Sequence, residues 1–266
     1  MKKIKLFASV MSLALGLSAC GGGGGGSDPS VPKQEVKTTN APTAGLWEGT
    51  IGNGRSVAGI GLKSGDFYFL YTVENNPYYI AGMVSGTLES KAGSVTSTSA
   101  TDFNLEFREV YPVYISASVK EKDSLSGYAR YNSDGTISNT FSTKYNALYE
   151  EEASISKIAG TYYGNIAFYN IIDPITKLTI NEDGSFSSRT LNGCYISGKF
   201  TPLQGENAYE VATTFGGSPC GNPNRKVNSV GFFDRRSGVL YAFNKVKDKQ
   251  NAFVIIANKA PSSTSK

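Results

Sequence analysis

Histidine is absent from all 266 residues. That removes the side chain whose charge changes nearest neutral pH, and with it every Ser-His or Cys-His pairing. Charge of one sign is also lacking, with 26 basic residues against 22 acidic ones. Discounting residues 1–19 takes away Lys2, Lys3 and Lys5 and leaves 23 against 22, a net charge of +1. A nucleic-acid binder needs a basic stripe, and a balanced chain has none to offer. Strong attraction to anionic lipid headgroups is excluded on the same ground. No apolar run reaches the roughly 20 residues needed to cross a bilayer as a helix.

Chemistry-bearing motifs are equally thin. Ser154-Ile155-Ser156-Lys157 fits an S-x-x-K nucleophile pattern, but no K-T-G follows, and Lys157 reads better as a solvated turn residue. Asp102, Glu106, Glu109 and Asp234 are available for a paired-carboxylate hydrolase, yet they are scattered as in any soluble protein. Glu150-Glu151-Glu152 is most simply a solvated charge run. Gly52-Asn53-Gly54 lacks the lysine and following helix of a phosphate loop. Asn181-Glu182-Asp183-Gly184 lacks the remaining oxygen ligands of a calcium loop and reads as a hairpin turn. The expectation is a chain that is not an enzyme and uses no cofactor.

What is present begins at the N-terminus. Three lysines precede an apolar stretch, Leu6 to Leu17, which ends in Leu17-Ser18-Ala19-Cys20. A basic start, an apolar middle and a small-residue end make an export signal. The cysteine makes this end resemble the lipobox of bacterial lipoproteins. That resemblance implies cleavage between Ala19 and Cys20, acylation of Cys20, and a membrane held through covalent lipid. Six glycines, Gly21 to Gly26, follow directly. With no side chains and few preferred dihedrals they form a leash that frees a folded body from the headgroups. From Gly21 to Thr43 a coil spans about 25 Å r.m.s.. By the sorting rule of enteric lipoproteins, Gly21 in place of aspartate implies the outer membrane. Periplasmic and surface-facing placements both fit.

Cys194 and Cys220 are then an even pair in an oxidising compartment, and a bridge between them is expected. Closing that loop stabilises the fold by roughly 3 kcal/mol. With no histidine and two thiols left, no zinc or other metal set is expected.

Residues 44–260 read as strands: short runs of Val, Ile, Tyr, Phe and Thr, broken by Gly, Asn, Asp and Ser every 8–12 residues. Ser64-Gly65-Asp66, Asp134-Gly135, Asp183-Gly184 and Ser237-Gly238 mark turns. One helical turn fits at 154–159. Ala44-Gly45-Leu46-Trp47-Glu48-Gly49 and Ala159-Gly160-Thr161-Tyr162-Tyr163-Gly164 share the pattern A-G-x-aromatic-x-G. Each is expected to open a first strand with its aromatic in the core. The fold class is therefore all-β: two small antiparallel β-meander domains, barrel- or sandwich-like, after a disordered lipidated tether. The expected boundaries are 1–19 signal, 20–43 tether, 44–153 and 154–260 the two β domains, and 261–266 a disordered tail.

In Asp66–Val73, alternation puts Phe67, Phe69 and Tyr71 on one face and Tyr68 and Leu70 on the other. With both faces apolar, the strand is buried on both sides or lines a cavity. Phe67, Phe69 and Tyr71 form the candidate apolar binding face, of the kind that lines a lipocalin-like barrel. The leading functional expectation is a non-catalytic binding module for a protein or envelope component, of accessory or immunity type. The alternative is a carrier of a small apolar ligand.

The stretches running from DFNLEF to AGTYYG and from TINEDGSF to GVLYAFN together resemble a family of proteobacterial outer-membrane lipoproteins. Its members share the lipobox, a Gly-rich tether and two β-rich repeats. Gly193-Cys194-Tyr195-Ile196-Ser197-Gly198 and Pro219-Cys220 match the segments that carry the family's paired cysteines. The resemblance implies the Cys194–Cys220 bridge and the two-half architecture. It implies no catalytic residue.

Overall fold

The structure is a computed structural model and describes residues 42–131 and 138–261. The signal segment, the Ala19-Cys20 cleavage and lipidation site, the glycine tether, the Asp134-Gly135 turn and the tail from residue 262 lie outside the described residues.

The first half carries nine strands among the described residues: β1 (Gly45–Ile51), β2 (Arg55–Gly61), β3 (Asp66–Val73), β4 (Asn76–Thr87), β5 (Glu89–Lys91), β6 (Ser94–Asn104), β7 (Glu109–Lys120), β8 (Ser124–Arg130) and β9 (Ser138–Asn146). Neighbours in sequence pair antiparallel, except β4 and β5. Closure comes from β1 pairing with β9 and from β4 pairing with β6, Gly82 opposite Asn104 and Ser85 opposite Thr101. The short β5 hangs outside this ring on β6. The second half carries β10 (Gly160–Phe168), β11 (Ile172–Ile180), β12 (Ser185–Thr190), β13 (Tyr195–Pro202), β14 (Tyr209–Phe215), β15 (Lys226–Asp234), β16 (Val239–Phe243) and β17 (Phe253–Lys259). They run in order around a closed barrel, with β17 returning to β10. Between the halves lie a 3-10 turn at Ala147–Glu150 and one turn of helix, α1 (Ile155–Ile158). Both halves are thus up-and-down barrels. Closure satisfies the edge hydrogen bonds that an open sheet would expose.

The repeated sequence pattern has a structural meaning. Trp47 in β1 and Tyr162 in β10 are fully buried. The glycine two residues on marks a close strand crossing in both barrels. A Cβ on Gly49 would lie 1.9 Å from the Ser142 carbonyl oxygen, and one on Gly164 would lie 2.1 Å from that of Ile256. Each first strand therefore meets its closing partner at a position where no side chain fits. Thr43 already belongs to the folded body: it is buried, and the Trp47 indole donates to its carbonyl at 2.9 Å. The turn at Asn181–Gly184 has only Gly184 at positive φ, +83°. The Asn181 carbonyl accepts from the Gly184 amide, so the loop is a three-residue one rather than a two-residue turn with both centres left-handed.

The barrels share a third core. Leu46, Ile60, Tyr68 and Met83 project outward from the first and meet Val230, Phe243 and Val254 on the second. Tyr68 stacks on Phe243 with ring centroids 5.0 Å apart. Polar contacts surround this seam. Lys245 pairs with Asp66 at 2.6 Å, Arg236 with Glu48 at 2.6 Å, and Glu206 accepts from the Lys63 amide and the Tyr149 hydroxyl. Two of the glutamates at 150–152 are not merely solvated: Glu150 pairs with Lys122 at 2.8 Å, and Glu151 with Arg235 at 2.9 Å and Lys157 at 3.5 Å.

Candidate functional site

Eight strands make a barrel just wide enough to be filled by side chains or to hold one small ligand. The interiors of the two barrels differ: the second is filled, and the first leaves a cavity. In the second, aromatic rings interlock across the interior: Phe168 on Phe215 at 5.5 Å, Phe215 on Phe253 at 5.2 Å, and Phe186 on Phe200 at 5.2 Å. Cys194 and Cys220 join this core through the expected disulfide, with Cα atoms 4.5 Å apart.

In the first barrel the inward positions of β4, β6, β7 and β8 include Gly82, Gly86, Ala100, Ala117, Gly127 and Ala129. Side-chain volume is missing where the second barrel has phenylalanine and isoleucine. A floor of Trp47, Leu88, Val95 and Leu125 closes one end. Above it lies a cavity of about 500 Å³, within the size range of small-molecule sites. Its walls run up to Asn53 in the β1–β2 turn and to Phe107 in the β6–β7 turn. Phe107 is 70% exposed, and Tyr78 and Tyr79, beyond the β3–β4 turn, are 89% and 65% exposed. That end of the barrel is rimmed with aromatic rings.

All three residues of the candidate apolar face, Phe67, Phe69 and Tyr71, lie on the cavity wall. Their neighbours Tyr68 and Leu70 face the seam with the second barrel. The strand is therefore buried on its outer side and lines a cavity on its inner side, which combines the two readings of its apolar faces.

The polar part of the site was not assembled by sequence reasoning. Asp102 is 1% exposed and lines the cavity. The Tyr71 hydroxyl donates to its Oδ1 at 2.8 Å, and Tyr131 and Asn104 also hydrogen-bond it. Burial pushes its pKa up to about 6, against the lowering effect of these donors and of the Arg55 charge. Burial and the Asp102 charge in turn raise the Tyr71 and Tyr131 hydroxyls well above the usual phenol range. Arg55 lies over the Tyr71 ring, 5.7 Å from its centroid. Its guanidinium is held by Glu106 at 2.7 Å and by the Thr72 carbonyl at 2.9 Å.

A register shift explains why Asp102 is inside. Between Ser97 and Ala100 the β6–β7 pairing slips through a bulge. Strict alternation from the buried Val95 would send Phe103 inward and Asp102 to the outside. The bulge reverses this. Ala100, Asp102 and Asn104 face the cavity wall, while Phe103 joins the seam between the barrels. Of the other carboxylates considered for hydrolysis, Glu106 is held by Arg55, Glu109 by Lys249, and Asp234 by Arg236 on the second barrel. Among the described residues that line the cavity, Asp102 is the one carboxylate.

No family model matches the chain, and no curated protein matches it. Among solved structures it is similar to a double mutant of the vaccine antigen transferrin-binding protein B from Haemophilus parasuis Hp5. That match has 11% identity and a TM-score of 0.28, and covers 77% of this chain and 53% of that one. A single mutant of the same antigen matches at 10% identity and a TM-score of 0.26, covering 77% and 54%. The chain spans about half the length of the structures it matches.

Proposed function

We propose that this chain is a lipid-tethered, non-catalytic binding protein of the outer membrane whose first barrel takes up a small, largely apolar ligand. The observation that carries the reading is the contrast between the barrels. One interior is packed with rings, and the other, built on the same eight-strand plan, keeps a cavity of about 500 Å³ with Phe67, Phe69 and Tyr71 on its wall. Cavities of that size with apolar walls and a few convergent polar groups are the usual form of a ligand site. The tether belongs to the proposal through Cys20 and the six glycines after it. Several acyl chains bind a membrane firmly where one binds marginally.

The experiment is uptake of N-phenyl-1-naphthylamine, a neutral dye that fluoresces in apolar sites. Saturable uptake at about one dye per chain is the expected result. Ala129→Phe, which adds a ring on the cavity wall, should reduce it. Absence of saturable uptake of the dye and of every other small apolar probe by a folded chain would remove the reading.

A protein partner is a second reading, favoured by one specific feature. Tyr78, Tyr79 and Phe107 expose large aromatic surface at the cavity end of the barrel. Aromatic residues of this type are enriched at protein interfaces. Cross-linking from intact cells with Tyr78→Ala and Phe107→Ala variants as controls tests it. Loss of a dominant cross-linked partner in those variants is the expected outcome.

A further inference from the structure

The cavity wall carries more than apolar surface, and its charges point to one ligand class. Asp102 is 1% exposed, and among the described residues no ion pair joins it to a lysine or arginine. Its donors are neutral groups: the Tyr71 and Tyr131 hydroxyls and Asn104. A carboxylate offers about four acceptor sites, so room for one more donor remains. Arg55, the cation whose field reaches Asp102, is already engaged by Glu106 at 2.7 Å. A buried charge left without an ionic partner is costly. A second, independent acceptor is unmet on the same wall: Asn53 Oδ1 is buried and has no hydrogen-bond partner. Around these acceptors stand Phe69, Tyr71, Phe107, Tyr111, Tyr131 and Phe141. Tyr111 and Tyr131 meet edge to face at 6.5 Å. Ring faces are the negative poles of aromatic side chains and attract cations.

We propose that the first barrel binds a protonated organic amine with an apolar body. Its ammonium donates to Asp102 and sits among the aromatic rings, and its apolar part lies against Phe67, Val84, Leu88 and Ile115. An anionic ligand would meet Asp102 with the local arginine already committed. A neutral ligand could donate a hydrogen bond but would supply no charge to offset the buried carboxylate. The inference rests on the reading of the barrel as a ligand site, and the test separates the two.

The test uses the chain from Gly21 onward, which contains every strand of both barrels. Three probes share one apolar body: 4-phenylbutylamine, 4-phenylbutan-1-ol and 5-phenylvalerate. Calorimetric titration at pH 7.5 should give an affinity for the amine about tenfold or more above that for the alcohol, a difference set by one charged contact. The valerate should bind weakest. Asp102→Asn should reduce the amine to the level of the alcohol and leave the alcohol unchanged. A measurement that needs no variant stands beside it. Lowering the pH to 5 should weaken the amine and not the alcohol. The charged and titratable groups facing Asp102 are Tyr71, Tyr131 and the Arg55–Glu106 pair. The tyrosines, raised above the usual phenol range, stay neutral through that range.

Equal affinity for amine and alcohol in wild type, or a preference for the amine that survives Asp102→Asn, overturns the inference. If the naphthylamine dye is still taken up in that case, the ligand site stands and only its cationic specificity falls. If neither the dye nor any of the three probes binds, the site falls, and the inference with it.

Discussion

Replacing Asp102 by asparagine should make the free protein less sensitive to pH, and in a direction opposite to most carboxylate substitutions. The group's pKa rises on folding from 3.8 to about 6 because burial disfavours the charged form. The folded state therefore holds the proton more tightly than the unfolded state. Its contribution to stability is fully present below pH 3.8 and is lost as the pH rises through about 6. Two pKa units correspond to about 3 kcal/mol. Asp123, Glu150, Glu151, Asp183 and Asp234 are shifted the other way by hydrogen bonds and ion pairs, so the whole protein's profile is a sum of opposed trends. The difference between variant and wild type isolates one group. Asparagine does not titrate, and any fixed change in its hydrogen bonds cancels between two pH values. Relative to wild type, Asp102→Asn should gain about 2.4 kcal/mol between pH 4 and pH 7.5, since part of the full contribution is already lost at pH 4. For a chain of this size that is roughly 5 to 10 °C in melting temperature. Trp47, the one tryptophan and fully buried in the same barrel, reports unfolding by fluorescence. A difference between the two proteins that stays constant from pH 4 to 7.5 would refute the reasoning, because Asp102 would then not be a buried carboxylate with a raised pKa.

Three further outcomes are expected. Cys20→Ala should abolish acylation and release the protein from the membrane fraction; continued sedimentation with outer membrane would contradict the lipid anchor. Cys194→Ser should lower the melting temperature of the non-reduced protein by several degrees, as expected for removal of a roughly 3 kcal/mol restraint on the unfolded chain, and wild type without reductant should show no thiol at Cys194 or Cys220. Phe243→Ala should cost about 3 kcal/mol or more by removing a buried ring from the seam. The loss should appear in the Trp47 signal although Phe243 lies on the other barrel, and a Trp47 melt unchanged by that substitution would show that the barrels unfold separately.

Much of the fold is legible in the sequence because its cause is local. Period-2 alternation, turn residues at 8–12-residue spacing and the paired A-G-x-aromatic-x-G starts each act within a few residues of themselves. The Phe67, Phe69 and Tyr71 face follows from the same alternation, and the structure puts all three on one cavity wall. The polar half of the site was not legible for an equally definite reason. A bulge between Ser97 and Ala100 inverts the parity of the end of β6 and turns Asp102 in and Phe103 out. A bulge is decided by the partner strand, and no residue of β6 announces it. The small inward residues Gly82, Gly86, Ala100, Ala117, Gly127 and Ala129 were visible as letters. Their shared emptiness appears once four strands are wrapped around one axis.

Sequence alone determined that the folded part is all-β and has two halves. It also determined that no histidine-based catalysis is available, and that Cys194 and Cys220 are the pair to bridge. These follow from composition, periodicity and counting, which do not depend on where distant residues meet. Tertiary structure alone decided that both halves close into barrels, and that one is solid and the other hollow. It also decided that an aspartate with no ion pair among the described residues stands on the wall of the hollow one, a wall it shares with aromatic rings. Those properties belong to strand closure and register, where residues from Ile51 to Phe141 converge on one cavity. Side-chain volume and buried charge acquire their consequences only after that convergence, since a cavity is defined by what its walls fail to fill.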